Sequence, residues 1–162
     1  PSVSTIPIMG NNSRIDDLLV AANMLDNRFV VKIGTQPTST LATGATWSNA
    51  TGAWVAAGGN AQTAQSRIVC LTSTANNPST ANGTNYRLNA GTANLPTGSR
   101  VVSAVIMGVP ISEARNLSLS IDGEPLSTAT AQATTADNNG KVVYAAAAAT
   151  GTTTVYVYLA HQ

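Results

Sequence analysis

Apolar positions along this chain fall into short runs separated by long polar stretches, and most of the runs alternate like strands. The longest is Arg100–Pro110, which follows a turn signal at Pro96, Gly98 and Ser99 and stops at Pro110. β-Branched residues supply much of it and its length suits one strand better than a helix, so it reads as a central strand buried on both faces. Arg67–Thr72 reads as a second strand, with Ile68 and Cys70 on one face and Val69 and Leu71 on the other. Residues 29–33 read as a short strand closed by Gly34 and Pro37, and residues 86–88 as another. Leu117, Leu119 and Ile121 alternate strictly with serines, which predicts a strand with one wet face. Asp122 and Gly123 then give a type I′ turn signal, with residues 124–130 as the returning strand. Asp137, Asn138, Asn139 and Gly140 make the next turn, and residues 141–149 and 152–160 a closing hairpin joined near Thr150 and Gly151. In its second strand Val155, Val157 and Leu159 share one face, Tyr156 and Tyr158 the other.

The front of the chain has a different period. Ile15, Leu18, Leu19, Ala22 and Leu25 form one helical stripe, widened by Val20 and Met24. Asn12 or Ser13 can cap it, Asp16 and Asp17 sit in the first turn, and Arg28 lies past the end. Such a stripe either plugs one end of a β core or packs on a neighbouring subunit. Ahead of it, two prolines, one glycine and no periodicity mark an arm that is ordered only by lying on something else. Residues 35–65 hold both tryptophans, Trp47 and Trp54, among small polar residues, with hairpin signals at residues 49–52 and 58–60. No repeat or linker divides the chain. The expected organisation is an extended arm at 1–12, an amphipathic helix at 13–28 and a β-sandwich domain at 29–162. The fold class is all-β, an antiparallel sandwich or jelly roll with one short helix.

Composition changes this picture in one respect. Eight basic and seven acidic residues nearly cancel, and charged residues make up only 9% of the chain, against about 25% in ordinary domains. Between Ile33 and Tyr86 the only charge is Arg67, and between Val142 and Ala160 there is none. A neutral surface of small polar residues packs against another protein at little desolvation cost, and charge depletion marks the centres of protein interfaces. The same balance offers no pull on nucleic acid: Arg67, Arg87 and Arg100 are scattered and form no basic stripe. No run of about 18 apolar residues suggests a membrane helix. Without a basic start followed by an apolar run, folding in the cytoplasm is expected.

Candidate chemistry is thin. The only histidine, His161, stands one residue from the end, where chains fray, so no Ser-His-Asp or Cys-His arrangement is expected. One Cys with one His cannot hold zinc, and Cys70 reads as a small core hydrophobe. Asp122, Glu124 and Asp137 are the carboxylates a hydrolase could use, but tight turns would set them on an exposed rim. They also lack the alternating oxygen ligands of a calcium loop. No catalytic residue, cofactor or metal is assigned. Trp47 and Trp54 could be core residues, interface anchors, or platforms for sugar rings.

An arm, a short helix (Ile15 to Leu25) and a charge-poor β domain ending in Thr152–Leu159 together resemble the decoration, or cement, proteins of tailed-bacteriophage heads. The resemblance covers the whole chain in style and rests on no specific motif. It implies a homo-oligomer, a trimer among its forms, on the outside of a capsid, made in the host cytoplasm and partnered by the major capsid protein. The partner-binding residues expected on this reading are Ile15, Leu18, Leu19, Ala22, Leu25, Trp47 and Trp54. The competing expectation is a glycan-binding or adhesin domain of a virion or cell surface, using the two tryptophans.

Overall fold

The computed structural model describes residues 26, 30–36, 46–48, 53–55, 66–74, 83–89, 93–123 and 136–162. Its centre is an antiparallel four-stranded sheet. In chain order the strands are β1 (Thr46–Ser48), β2 (Ala53–Val55), β3 (Arg67–Thr72), β4 (Arg87–Asn89), β5 (Ala93–Asn94), β6 (Arg100–Pro110), β7 (Val142–Tyr144) and β8 (Thr152–His161), with helix α1 (Ile111–Asp122) between β6 and β7. The main sheet runs β3-β6-β8-β7, while β1-β2 and β4-β5 are separate two-stranded ribbons. The expectation of a mostly strand-built chain holds.

β6 takes the central place expected of it, between β3 and β8. Side chains on its two sides enter two cores. On one face Ile106 and Val109 join Val142, Tyr144 and Val155, covered by Ala114, Ile111 and Leu117 of α1 and by Val31. On the other, Val101 meets Tyr86, Leu95 and Val143, and Val105 meets Val69 and Leu71. Tyr156 and Tyr158 of β8 line this second face and Val157 packs against the first, as their alternation predicts. Leu159 departs from it. β8 holds an extra residue where the pairing steps from Ser103↔Tyr158 to Val102↔Ala160, and Leu159 is that residue, 50% exposed.

Four further expectations are corrected. Residues 117–121 are helical, not a strand. Ile111, Ala114, Ser118 and Ile121 also fit a helical stripe, and two of them are small enough to bury fully, Ala114 and Ser118. Pro110, read as a stop, is the N-cap, and Glu113 sits in the first turn, where the helix dipole favours an anion. Second, Asp122 and Gly123 are therefore not a hairpin turn: Gly123 ends the helix at φ 75° with its N–H on the Leu119 carbonyl. The returning strand at 124–130 lies outside the described residues.

Third, the described part of residues 29–33 forms no strand. The Gln36 carboxamide takes the Val31 N–H at 3.2 Å and donates back to the Val31 carbonyl, so a side chain holds the groups a ladder would need. Fourth, β7 stops at Tyr144 instead of running to Ala149. Alanine is a weak strand former, and after Tyr144 the chain leaves the ladder. It is closed by Ala148 N–H to Thr152 O and Gly151 N–H to Ala148 O, both 2.9 Å. The arm and the helix expected at 1–12 and 13–28 lie outside the described residues, apart from Asp26.

Candidate functional site

Two regions bear on function: a polar knot where α1 meets β7, which holds Asp122 and Asp137, and the uncharged β7–β8 hairpin.

The knot is built on carboxylates. Asp122, at the last turn of α1, accepts the Lys141 N–H on Oδ1 at 2.8 Å and the Val142 N–H on Oδ2 at 2.9 Å. Asp137 is fully buried, against the expectation of an exposed rim. Its Oδ2 accepts the Ser118 hydroxyl at 2.7 Å and its Oδ1 the Asn139 N–H at 3.1 Å, while its backbone pairs both ways with Tyr144 at 2.9 Å. Burial of a carboxylate without such donors would be prohibitive, so α1 and the turn at 137–140 come as one unit. Arg87 closes the other side, its Nη1 on Asn139 Oδ1 at 3.2 Å and its carbonyl on the Gly140 N–H at 2.9 Å. Burial is the largest influence on Asp122 and pushes its carboxyl above the ordinary value. The N–H bonds from Lys141 and Val142 pull it back, and nearby Asp137 pushes it up again. The oxygens of both carboxylates face backbone and hydroxyl donors, and what this arrangement does is clamp the helix end to the sheet. Glu124, the third carboxylate considered, lies outside the described residues.

Below the knot, the second core face is aromatic. Tyr86 is fully buried and gives its hydroxyl to Ser103 Oγ at 2.8 Å, which donates on to the Gly83 carbonyl at 2.9 Å. Burial holds the phenols of Tyr86, Tyr144 and Tyr156 above their ordinary value, Tyr144 at about 12. The Tyr158 ring meets Tyr86 edge-on, with centroids 5.4 Å apart. Tyr158 also hydrogen-bonds His161 Nδ1 at 2.6 Å. His161 does not fray: it pairs with Val101 in β8, and Gln162 beyond it exchanges two backbone hydrogen bonds with Arg100. Cys70 is a buried free thiol in β3, as expected of a core residue, and burial raises its pKa.

The hairpin is the exposed counterpart. All of residues 145–151 are exposed except Ala147, which is partly so, and they display alanine methyls, a threonine and a glycine. The loop is held in shape by the two bonds already given and by Thr153 Oγ1 to the Ala145 carbonyl at 2.8 Å. A preformed uncharged loop loses little entropy and little hydration when another surface covers it. The missing charge is legible in the sequence, but the pattern there predicts strand for residues 145–149 and a turn only at 150–151.

Of the residues expected to bind a partner, Ile15, Leu18, Leu19, Ala22 and Leu25 lie outside the described residues. Trp47 and Trp54 are brought together: β1 pairs with β2 so that Trp47 stands directly opposite Trp54. The turn expected at residues 49–52 lies outside the described residues. Among the described residues there is no group of three or more His, Cys, Asp or Glu side chains placed to hold a metal. No helix among them is long and apolar enough to cross a membrane. Comparison with family models, with curated proteins and with solved structures finds no match to this chain.

Proposed function

We propose that this chain is a structural virion protein that binds the outside of a phage capsid and stabilises the shell by bridging its subunits. The observation that carries this reading is the β7–β8 hairpin, an ordered, exposed and charge-free projection within a stretch that holds no charge from Val142 to Ala160. A surface of that kind suits contact with protein better than long-term solvation. The stripe Ile15, Leu18, Leu19, Ala22 and Leu25 would supply the second contact, on the major capsid protein or on a neighbouring copy in a homo-oligomer. Stabilisation follows from mass action: a protein that binds only the assembled lattice raises the free energy of disassembly, and many copies multiply a modest contact. The sandwich or jelly roll belongs to the same proposal, supported by a main sheet with buried side chains on both faces. The test is deletion of residues 1–28. It should abolish co-sedimentation with assembled particles yet leave a folded β domain; an unfolded product would make the segment part of the core.

The pairing of Trp47 with Trp54 favours a second reading, a glycan-binding or adhesin domain. Saturable sugar binding on a glycan array, lost in both Trp47→Ala and Trp54→Ala, would put this reading ahead.

A further inference from the structure

We propose that residues 31–36 form a releasable strap that fastens the front of the chain to the free end of the central strand. β3 covers β6 only as far as Val105, opposite Arg67. Beyond it the open edge at Met107 is taken by the strap. Thr35 donates its N–H to the Met107 carbonyl at 2.8 Å, the Met107 N–H goes to Ser66 Oγ at 3.0 Å, and Ser66 Oγ donates to the Thr35 carbonyl at 2.5 Å. The fit is keyed by a bulge in β6 between Ile106 and Val109. At Gly34, φ 75°, a Cβ would lie 2.4 Å from the Met107 carbonyl oxygen; at Gly108, φ 63°, it would lie 2.7 Å from Thr35 Oγ1. Only glycines let the two backbones approach this closely.

The strap is shallowly held. Val31 alone in it is fully buried, at 4% exposure, and Ile33 is partly buried against the same core, while Lys32, Gly34, Thr35 and Gln36 are exposed. Its loop is closed on itself by the Gln36 carboxamide on Val31. Opening breaks the bonds around Ser66 and withdraws Val31 and the partly buried Ile33 from the core, and leaves the β3-β6-β8-β7 ladder intact. A segment with few buried contacts opens at a lower free energy than the whole domain. The strap lies a few residues after the segment at 13–28, so its release adds six residues of slack, about 20 Å when extended. Resting on the capsid reading, that slack would let a docked front segment and the sheet domain adjust to each other on the lattice.

Native-state hydrogen exchange on the full chain tests this. The Thr35 and Met107 amides should exchange through a local opening, faster than the amides bonded between β6 and β8. Ser66→Ala should speed those two about tenfold without moving the ladder amides. Gln36→Ala, an exposed change, serves if Ser66→Ala does not fold. The proposal is overturned if Thr35 and Met107 exchange only with the ladder in the wild type, or if the variants accelerate every amide alike. Co-sedimentation of the same wild-type sample with particles keeps the two ideas apart. Local opening without particle binding defeats the capsid reading alone, and particle binding without local opening defeats the strap alone.

Discussion

Gly140 is the position at which one methyl group should do the most damage. Its φ of 79° lies where L-residues are strained, and a Cβ there would stand 2.4 Å from Asp122 Cγ and Oδ2 and 2.7 Å from Oδ1. Two effects add. The left-handed backbone costs alanine about 1–2 kcal/mol. The clash drives the Asp122 carboxylate off the Lys141 and Val142 N–H groups, and a bond to a charged acceptor is worth about 1.5–3 kcal/mol. With the two partly exposed bonds together worth about one such bond, Gly140→Ala should destabilise by about 2.5–5 kcal/mol, a large part of the stability of a domain this size. Gly98→Ala is the control: its φ is 89°, yet nothing lies within 4 Å of the new methyl, so only the backbone strain remains. Urea denaturation of both, with the slopes unchanged, gives the comparison. Adding Asp122→Ala to the Gly140→Ala chain should restore part of the loss, because the clashing group is gone. Equal losses at Gly140 and Gly98, within about 0.5 kcal/mol, would refute the clamp.

Other consequences are as direct. Folding holds the Tyr144 phenol at about 12 against an ordinary 10.0, with Tyr86 and Tyr156 also raised. Their contribution is complete below pH 10 and is lost as pH rises through the folded values, so stability should fall above pH 10, by roughly 2–3 kcal/mol from Tyr144 alone by pH 12. Phenolate absorbance and circular dichroism should then change together. Ser118→Ala removes the hydroxyl 2.7 Å from buried Asp137 Oδ2 and should cost about 1–3 kcal/mol in a denaturation series. Cys70, at 2% exposure, should react with a thiol reagent only as fast as the chain opens; prompt labelling of the native protein would contradict the packing of β3.

The strands that sequence reading found are those whose burial is written into contiguous residues. β6 is apolar on both faces because both faces meet a core, β3 buries Val69 and Leu71 in one of them, and β8 carries its alternation in adjacent valines and tyrosines. α1 was missed because Leu117, Leu119 and Ile121 satisfy period two, while its buried face rests on Ala114 and Ser118, which carry little hydrophobic signal. Residues 30–33 look like a strand until Gln36 takes the backbone groups of Val31. Asp137 was placed on a rim because its burial depends on Ser118, far from it in sequence and visible as a partner only once α1 is formed. The pairing of the tryptophans is half legible: a turn signal between them suggests a hairpin, but the register comes only from β1 and β2 themselves. As for the proposed contact surface, the sequence shows the absence of charge, and the structure adds that residues 145–151 are exposed in a hydrogen-bonded loop.

Sedimentation of the purified chain with assembled phage heads addresses the central claim most directly. The account predicts saturable binding to intact shells, a shell that withstands heat or chelation better when coated, and no binding to unassembled capsid subunits. A chain that stays behind as a free monomer at every shell concentration would contradict it.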